Sequence, residues 1–244
     1  MERETARDKM NRLILFEHEL SPDNTATLTG RRLIHLREIL GKKPGESVRA
    51  GLLGGKCGSA TIVSLSEHEA VLAPVFTQDP PAKIPLTLVV AMQRPKTLKK
   101  ILQYAAAMGV MRIYIIRTWR TEKSYFSNSI LTEQGLLNET VLGLEQAGDT
   151  VPPVIEVRTK FKPFVEDELP EISEGTLRLS AHPYSEHPMP RGPEKPVTLA
   201  LGPEGGFIPY EIELLEQIGF TPVHIGERIL RTENALSTIV GRLF

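Results

Sequence analysis

The sequence predicts an α/β protein in which a compact β-rich unit is followed by a larger unit of strands alternating with helices. Three observations carry this. From Leu86 onward, apolar runs of strand length recur between stretches of helical periodicity. From Arg12 to about Gln78 the runs are short, several alternate apolar with polar residues, and turn signals separate them. Between the two regions, Asp79-Pro80-Pro81-Ala82-Lys83-Ile84-Pro85 places three prolines in seven residues, which can continue neither a helix nor a central strand. That stretch, 79–85, is read as a linker, with an α/β domain over 86–244.

In the first unit, Ser47-Val48-Arg49 and Ala60-Thr61-Ile62-Val63 alternate as half-buried strands do, and Pro44-Gly45 and Gly54-Gly55 mark turns. One helix is predicted from Gly30 to Leu40, where Leu33, Leu36 and Leu40 recur at helical spacing before Gly41 closes it. In the second unit Leu86 to Ala91 reads as a buried strand. Thr97 is predicted to cap a helix that carries Leu98, Ile101, Leu102, Ala105 and Met108 on one face before Gly109. A strand from Arg112 to Arg117, a helix over 132–146, and strands at Val154–Val157 and Thr176–Ser180 follow. Val197 to Leu201 is a further buried strand, Pro209 opens a helix with Glu211 and Glu213 near its positive end, and Thr221 to Ile225 reads as the last strand. Strands separated by helices imply a largely parallel sheet with helices on both faces.

Composition bounds the function. A hydrophobic fraction of 41% and a charged fraction of 24% are ordinary for a globular protein and exclude a disordered chain. Cys57 is the only cysteine, which rules out an intrachain disulfide and a cysteine-based zinc site. The six histidines show no metal-ligand spacing, so no metal is predicted. The start, MERETARDKMNR, is too charged for a signal peptide, and Leu13 to Phe16 is too short for an apolar signal core or a membrane span. A cytoplasmic protein without a membrane partner is the expectation. The net charge of -1 hides an uneven distribution. Eight Lys and Arg face one acid between Met92 and Lys123, whereas ten acids face four bases from Thr132 to Ser180. The basic run reads either as a solvated face or as a track for RNA phosphates, the latter through Arg94, Lys96, Lys99 and Lys100.

Chemistry concentrates near the C-terminus. Gly202-Pro203-Glu204-Gly205-Gly206 follows the strand ending at Leu201, and Gly226-Glu227-Arg228-Ile229-Leu230-Arg231-Thr232-Glu233-Asn234 follows the next one. The first loop alone is compatible with a tight connection. The second is less easily dismissed, because Glu227, Arg228, Arg231 and Glu233 lie between apolar segments and must be paired or used. Neither loop ends in the Gly-Lys-Ser/Thr of a P-loop or has the G-x-G-x-x-G spacing of a dinucleotide fold, so both of those readings lose ground.

LGPEGGF, the Glu211-Ile212 pair early in the following helix, and IGERILRTEN-A resemble the signature of the RsmE family, the 16S rRNA uridine-N3 methyltransferases of the SPOUT class. Members carry (L/I)GPEGG at a strand end and, further on, LG-x-R-(I/V)-LR-x-ET-A. The match is near-complete in the C-terminal third and weaker over most of the chain. The resemblance implies a trefoil-knotted, mostly parallel sheet and an N-terminal PUA-like β-barrel that binds RNA, over 10–78. It also implies an extension over 1–9, since members begin with a motif like Met10-Asn11-Arg12. S-adenosylmethionine is the implied cofactor, rRNA of the small ribosomal subunit the implied partner, and a homodimer the implied assembly. Carried over as cofactor contacts are Leu201, Gly202, Gly206, Ile225, Gly226 and Leu230. His182 stands at a neighbouring strand end and reads equally as a contact or a turn residue.

Methylation at uracil N3 requires that proton to leave, so a cation beside the imide anion or a carboxylate that takes the proton would lower the barrier. Arg231 is the candidate for the first role and Glu233 for the second; a purely structural pairing of Arg231 with Glu233, or of Arg228 with Glu227, is the rival reading. Arg12, Arg37, Arg94, Lys96, Lys99, Lys100 and Arg120 are the candidates for RNA contact. The chain departs from the family at Gly41, which follows Ile39-Leu40, at Tyr104 to Gly109, at Asp149 where members carry a cation, and at Asn234. These changes keep two alternatives open: methylation of another rRNA or tRNA nucleotide, and an RNA-binding protein without turnover.

Overall fold

The structure, a computed structural model, describes residues 12–244; the extension over 1–9 and the Met10-Asn11 part of the opening motif lie outside them. The chain divides into two compact units. The first comprises the described residues up to Ala82 together with Val141–Pro152, and the second comprises Lys83–Thr140 together with Pro153–Phe244.

The first unit is built on a five-stranded sheet of β1 (Leu13–Leu15), β2 (Ala26–Leu28), β3 (Ser47–Leu52), β4 (Cys57–Leu65) and β5 (Ala70–Gln78) in the order β1-β3-β4-β5-β2. Only β1 and β3 pair in parallel; the other ladders are antiparallel, as short connections such as the Leu53–Lys56 turn require. Helix α1 (Gly30–Ile34) runs on as a π turn over His35–Ile39, with Leu33 and Leu36 buried against Leu15, Leu28, Ile62 and Leu72. Arg12 is buried, 5% exposed, and its guanidinium donates to the carbonyls of Gly148 at 2.9 Å and Ala50 at 2.9 Å, with Gly58 at 3.4 Å. The sequence reading of Arg12 as an RNA contact is therefore corrected: its donors hold two strands and one loop of its own unit together.

The second unit holds a six-stranded sheet of β6 (Ile84–Ala91), β7 (Val110–Ile116), β8 (Val154–Arg158), β9 (Leu177–Ala181), β10 (Val197–Leu201) and β11 (Thr221–Val223). The order is β11-β9-β10-β6-β7-β8 and every ladder is parallel. Its helices are α2 (Pro95–Ala107), the first turns of α3 (Glu133–Ala147), α4 (Phe161–Pro163), α5 (Leu169–Ile172), α6 (Pro209–Gln217) and α7 (Thr232–Leu243). Along β6 the two faces alternate. Leu86, Leu88 and Val90 pack with Leu98, Ile101 and Leu102 of α2 and with Leu236 and Ile239 of α7. Val89 and Ala91 face the opposite layer, with Phe164, Leu169, Leu214 and Leu215. Each such Leu, Ile or Phe contributes roughly 1.5–3 kcal/mol of burial, which makes these two layers the frame that holds the strand-end loops.

Several expectations shift. Helix α2 begins at Pro95, with Arg94 in the cap position, so Thr97 lies in its first turn rather than before it; proline's fixed φ and missing N–H suit that first position. Pro85 belongs to β6 itself, at its second residue, where the ladder to β7 is irregular and no donor is lost. The last strand stops at Val223 rather than Ile225. No element was read between Lys160 and Ser173, yet α4, a π turn over Phe164–Glu168 and α5 fill it and bury Phe164, Val165 and Leu169. The acids of Glu166-Asp167-Glu168 mask that apolar face.

Candidate active site

In an all-parallel sheet the C-terminal strand ends share one edge, and loops leaving adjacent strands there form a crevice. β9, β10 and β11 lie side by side in the order β11-β9-β10, and the loops leaving them enclose a cavity of about 560 Å³. Its walls include His182, Leu201, Gly202, Gly206, Ile225, Gly226 and Leu230, together with Arg231 and Glu233. The structure thus gathers into one place every residue singled out above for cofactor or catalysis.

The GPEGG loop turns tightly. Gly206 N–H donates to Pro203 O at 2.8 Å, and Gly206 itself has a φ of +73°, a left-handed conformation in which a side chain is strained. A Cβ at Gly202 would stand 3.0 Å from the Phe207 nitrogen, so the loop closes on itself only because that position is bare. Two residues hold it from the β6–α2 connection: Gln93, which the sequence reading passed over, and Arg94, which it read only as an RNA contact. Gln93, fully buried, donates from Nε2 to Gly202 O at 3.0 Å and to Ala91 O at 2.8 Å. The Arg94 N–H donates to Glu204 Oε1 at 3.0 Å. On the outer side Arg120 donates from Nη1 to Gly205 O. Because these partners are about 110 residues away in sequence, only the shared strand-end edge could have pointed to them.

The charged groups sort themselves in an unexpected way. Glu233 is buried in the first turn of α7, and its cationic partner is Lys100, whose Nζ donates to Oε1 at 3.3 Å. Its carboxyl is held below the ordinary range by its own backbone N–H first, and further by Lys100 and nearby Arg231, against the opposing effect of burial. Arg231 caps α7 through backbone geometry only; it is exposed and forms no ion pair among the described residues, and neither does Arg228. The rival Arg231–Glu233 and Arg228–Glu227 pairings are therefore not the ones formed. His182 donates its N–H to Val223 O at 2.9 Å, and its imidazole is held below its ordinary pKa by desolvation. The site thus presents apolar walls, bare main chain, a partly desolvated imidazole and the exposed guanidiniums of Arg94, Arg228 and Arg231, a surface that accommodates a flat heterocycle against its apolar side.

A family model described as an RNA methyltransferase domain matches residues 80–243. Ribosomal RNA small subunit methyltransferase E of Treponema pallidum is 30% identical over 232 residues, covering 91% of this chain and 86% of the relative. The chain belongs to the RsmE family. The Synechocystis member is 26% identical over 90% of this chain and 72% of its own length. The fold of this RsmE-family enzyme is also that of a Neisseria gonorrhoeae ribosomal RNA small subunit methyltransferase E solved with S-adenosyl methionine bound. That match has a TM-score of 0.75, with 22% identity, and covers 95% of each chain. A Legionella pneumophila structure in complex with bound SAM aligns with a TM-score of 0.73 at 23% identity over 94% of this chain and 96% of its own.

The family's RNA-side candidates scatter. Lys99 pairs with Glu139 at 2.7 Å, and Lys100 is taken up by Glu233. Arg37 bonds Glu38 at 2.8 Å and Glu67 O at 3.3 Å. Arg94 and Lys96 are exposed and carry no acid partner among the described residues. Asp149, where the family resemblance led us to expect a cation, is buried and accepts the N–H groups of Thr150 at 2.6 Å and Val151 at 3.0 Å, a turn-forming role. No helix among the described residues is long and apolar enough to cross a membrane, and none of them forms a group of three or more His, Cys, Asp or Glu able to hold a metal.

Proposed function

We propose that the strand-end cavity binds S-adenosylmethionine and that this RsmE-family enzyme, acting as a homodimer, methylates N3 of a uridine in the 16S rRNA of the small ribosomal subunit. The convergence of both glycine loops on one cavity with the first turn of α7 carries the reading; the cofactor in the Neisseria relative supports it. The residues present fit the group. Leu201, Ile225 and Leu230 offer apolar walls, Gly202, Gly206 and Gly226 leave main chain bare, and a neutral His182 does not repel a sulfonium. When bound, the cofactor supplies an electrophilic methyl group. Arg231, exposed and without an acid partner, stabilises the uracil imide anion that must form before N3 attacks.

Glu233 takes a different part in this reading from the one its residue type alone invites. A carboxylate satisfied by its own N–H and by Lys100 stays an anion and collects protons poorly, so Glu233 fixes Lys100 and the start of α7 rather than serving as the base. Main-chain geometry at the cap then aims Arg231. We extend the reading to the first unit as a PUA-like RNA-binding barrel, with the methyltransferase chemistry assigned to 86–244, and to the second unit as a trefoil knot. The mixed five-stranded sheet and the α7 helix packed back on α2 support these assignments; a crystal structure traced through residues 182–232 tests the knot. Arg37, Arg94, Lys96 and Arg120 remain the phosphate contacts of this proposal.

Calorimetric titration with S-adenosylmethionine tests the cofactor site: wild type binds, and Leu230→Arg, which places bulk and charge on the apolar wall, does not. Incubation with unmodified small-subunit rRNA followed by nucleoside mass spectrometry tests the acceptor. Methyl found on another atom or in another RNA overturns the uridine-N3 assignment while leaving methyl transfer standing, and sedimentation of a monomer overturns the dimer.

A further inference from the structure

A second cavity, of about 540 Å³, opens where β7 and β8 end, and its walls include Arg117, Trp119, Lys123, Phe161, Lys162 and Tyr210. Trp119 is 81% exposed, the most exposed of the large apolar side chains described. An indole left in water is ordinarily a cost, and a mobile loop would let it fold away. This loop is instead pinned. The Trp119 N–H donates to Glu211 Oε1 at 2.7 Å, the Thr118 and Thr121 hydroxyls bond each other at 2.8 Å, and Thr121 Oγ1 donates to Met92 O at 3.3 Å. Glu211 is buried, and its second oxygen accepts the Ile208 N–H at 3.0 Å. The one acid on the wall is therefore used up by main-chain donors. Arg117 and Lys123 have no acid partner among the described residues, and Lys162 shares only an exposed contact with Glu166 at 3.6 Å.

A rigid, exposed π-face bordered by cations, with no free carboxylate beside it, matches a nucleotide: the base stacks on the indole and the phosphate meets the cations. A second copy of this chain is the poorer match, since a two-fold contact centred here sets Arg117 and Lys123 against their own equivalents. The loop is also joined to the cofactor loop, because Arg120, next to Trp119, donates to Gly205 O.

We propose that the Trp119 cleft seats one unpaired nucleotide of the RNA substrate, its base stacked on Trp119 and its phosphate held by Arg117 and Lys123, next to the nucleotide that is methylated. This rests on the RNA substrate proposed above. Trp119 is the only tryptophan in the chain, so its emission reports directly on the seat. Titrating the full protein with a short single-stranded RNA is expected to quench that emission, whereas inorganic pyrophosphate at matched ionic strength leaves it unchanged. Trp119→Ala is expected to weaken RNA binding by roughly 5- to 150-fold, the range found for loss of one stacked base, and Trp119→Phe to recover most of it. RNA that binds with unquenched emission, or that binds Trp119→Ala as it binds wild type, overturns the proposal. So does an RNA-affinity loss in Trp119→Ala that accompanies dissociation of a dimer in sedimentation, since the cleft then belongs to a second copy. S-adenosylmethionine titrations on the same samples are expected to be alike for all three proteins and report on the methyl-transfer reading alone, so the two ideas fail separately.

Discussion

Glu233 and Lys100 stand 133 positions apart and meet at the mouth of α7. Because the folded carboxyl titrates below its unfolded counterpart, it contributes stability that is present above the ordinary carboxyl range and is lost as pH falls through the depressed folded value. Lys100→Met removes part of the cause, so the Glu233 carboxyl is expected to titrate closer to the ordinary range. The stability the pair contributes is then smaller, and its loss on acidification is complete at a higher pH. Carbon-detected NMR of the glutamate carboxyls, with acid unfolding followed alongside, checks both; an unmoved Glu233 titration sinks the assignment. Why this pair was illegible is plain: a lysine in a basic run and a glutamate in a charged loop each read as solvated, and only the packing of α7 on α2 brings them together. Arg12 misled for a related reason. A basic residue near a chain end reads as exposed, whereas here three carbonyls offer a buried guanidinium its donors' partners.

At the level of elements, the strand-end loops were the most legible part of the chain, because a five-residue apolar run closed by Gly202 permits little else. The GPEGG turn depends on that missing side chain. Gly202→Ala would bring a Cβ to 3.0 Å from the Phe207 nitrogen and 3.3 Å from Gly206, obliging the loop to shift by a few tenths of an ångström. The expected result is a five- to tenfold loss of S-adenosylmethionine affinity, about the 1 kcal/mol carried by one well-placed hydrogen bond, with the melting temperature little changed; calorimetry and thermal unfolding measure the two. The stretch from Phe161 to Ile172 was the least legible. Its π turn breaks the 3.6-residue repeat just where Phe164, Val165 and Leu169 would have announced a buried face, and three consecutive acids cover the rest.

At the scale of the whole molecule, the two units carry separate cores, and Arg12 belongs wholly to the first. Arg12→Met is expected to cost that unit roughly 2–4 kcal/mol, since buried carbonyls lose charged donors, while S-adenosylmethionine affinity, which we propose is set in the other unit, stays at the wild-type value. Denaturant unfolding and calorimetry on one preparation test the separation, and equal damage to both would refute it. The proline-rich stretch was visible in sequence as a break; the return of Val141–Pro152 to the first unit was not, because α3 runs unbroken through residue 140 and its composition does not change there. That return has a consequence for inheritance. The first unit is discontinuous in the gene, so no single crossover can add, remove or exchange it: a chain cut at residue 82 keeps Val141–Pro152, with buried Leu144 and Thr150 stripped of their neighbours. Exchange of the first unit by simple fusion is closed to this lineage, and change in that unit must come one residue at a time.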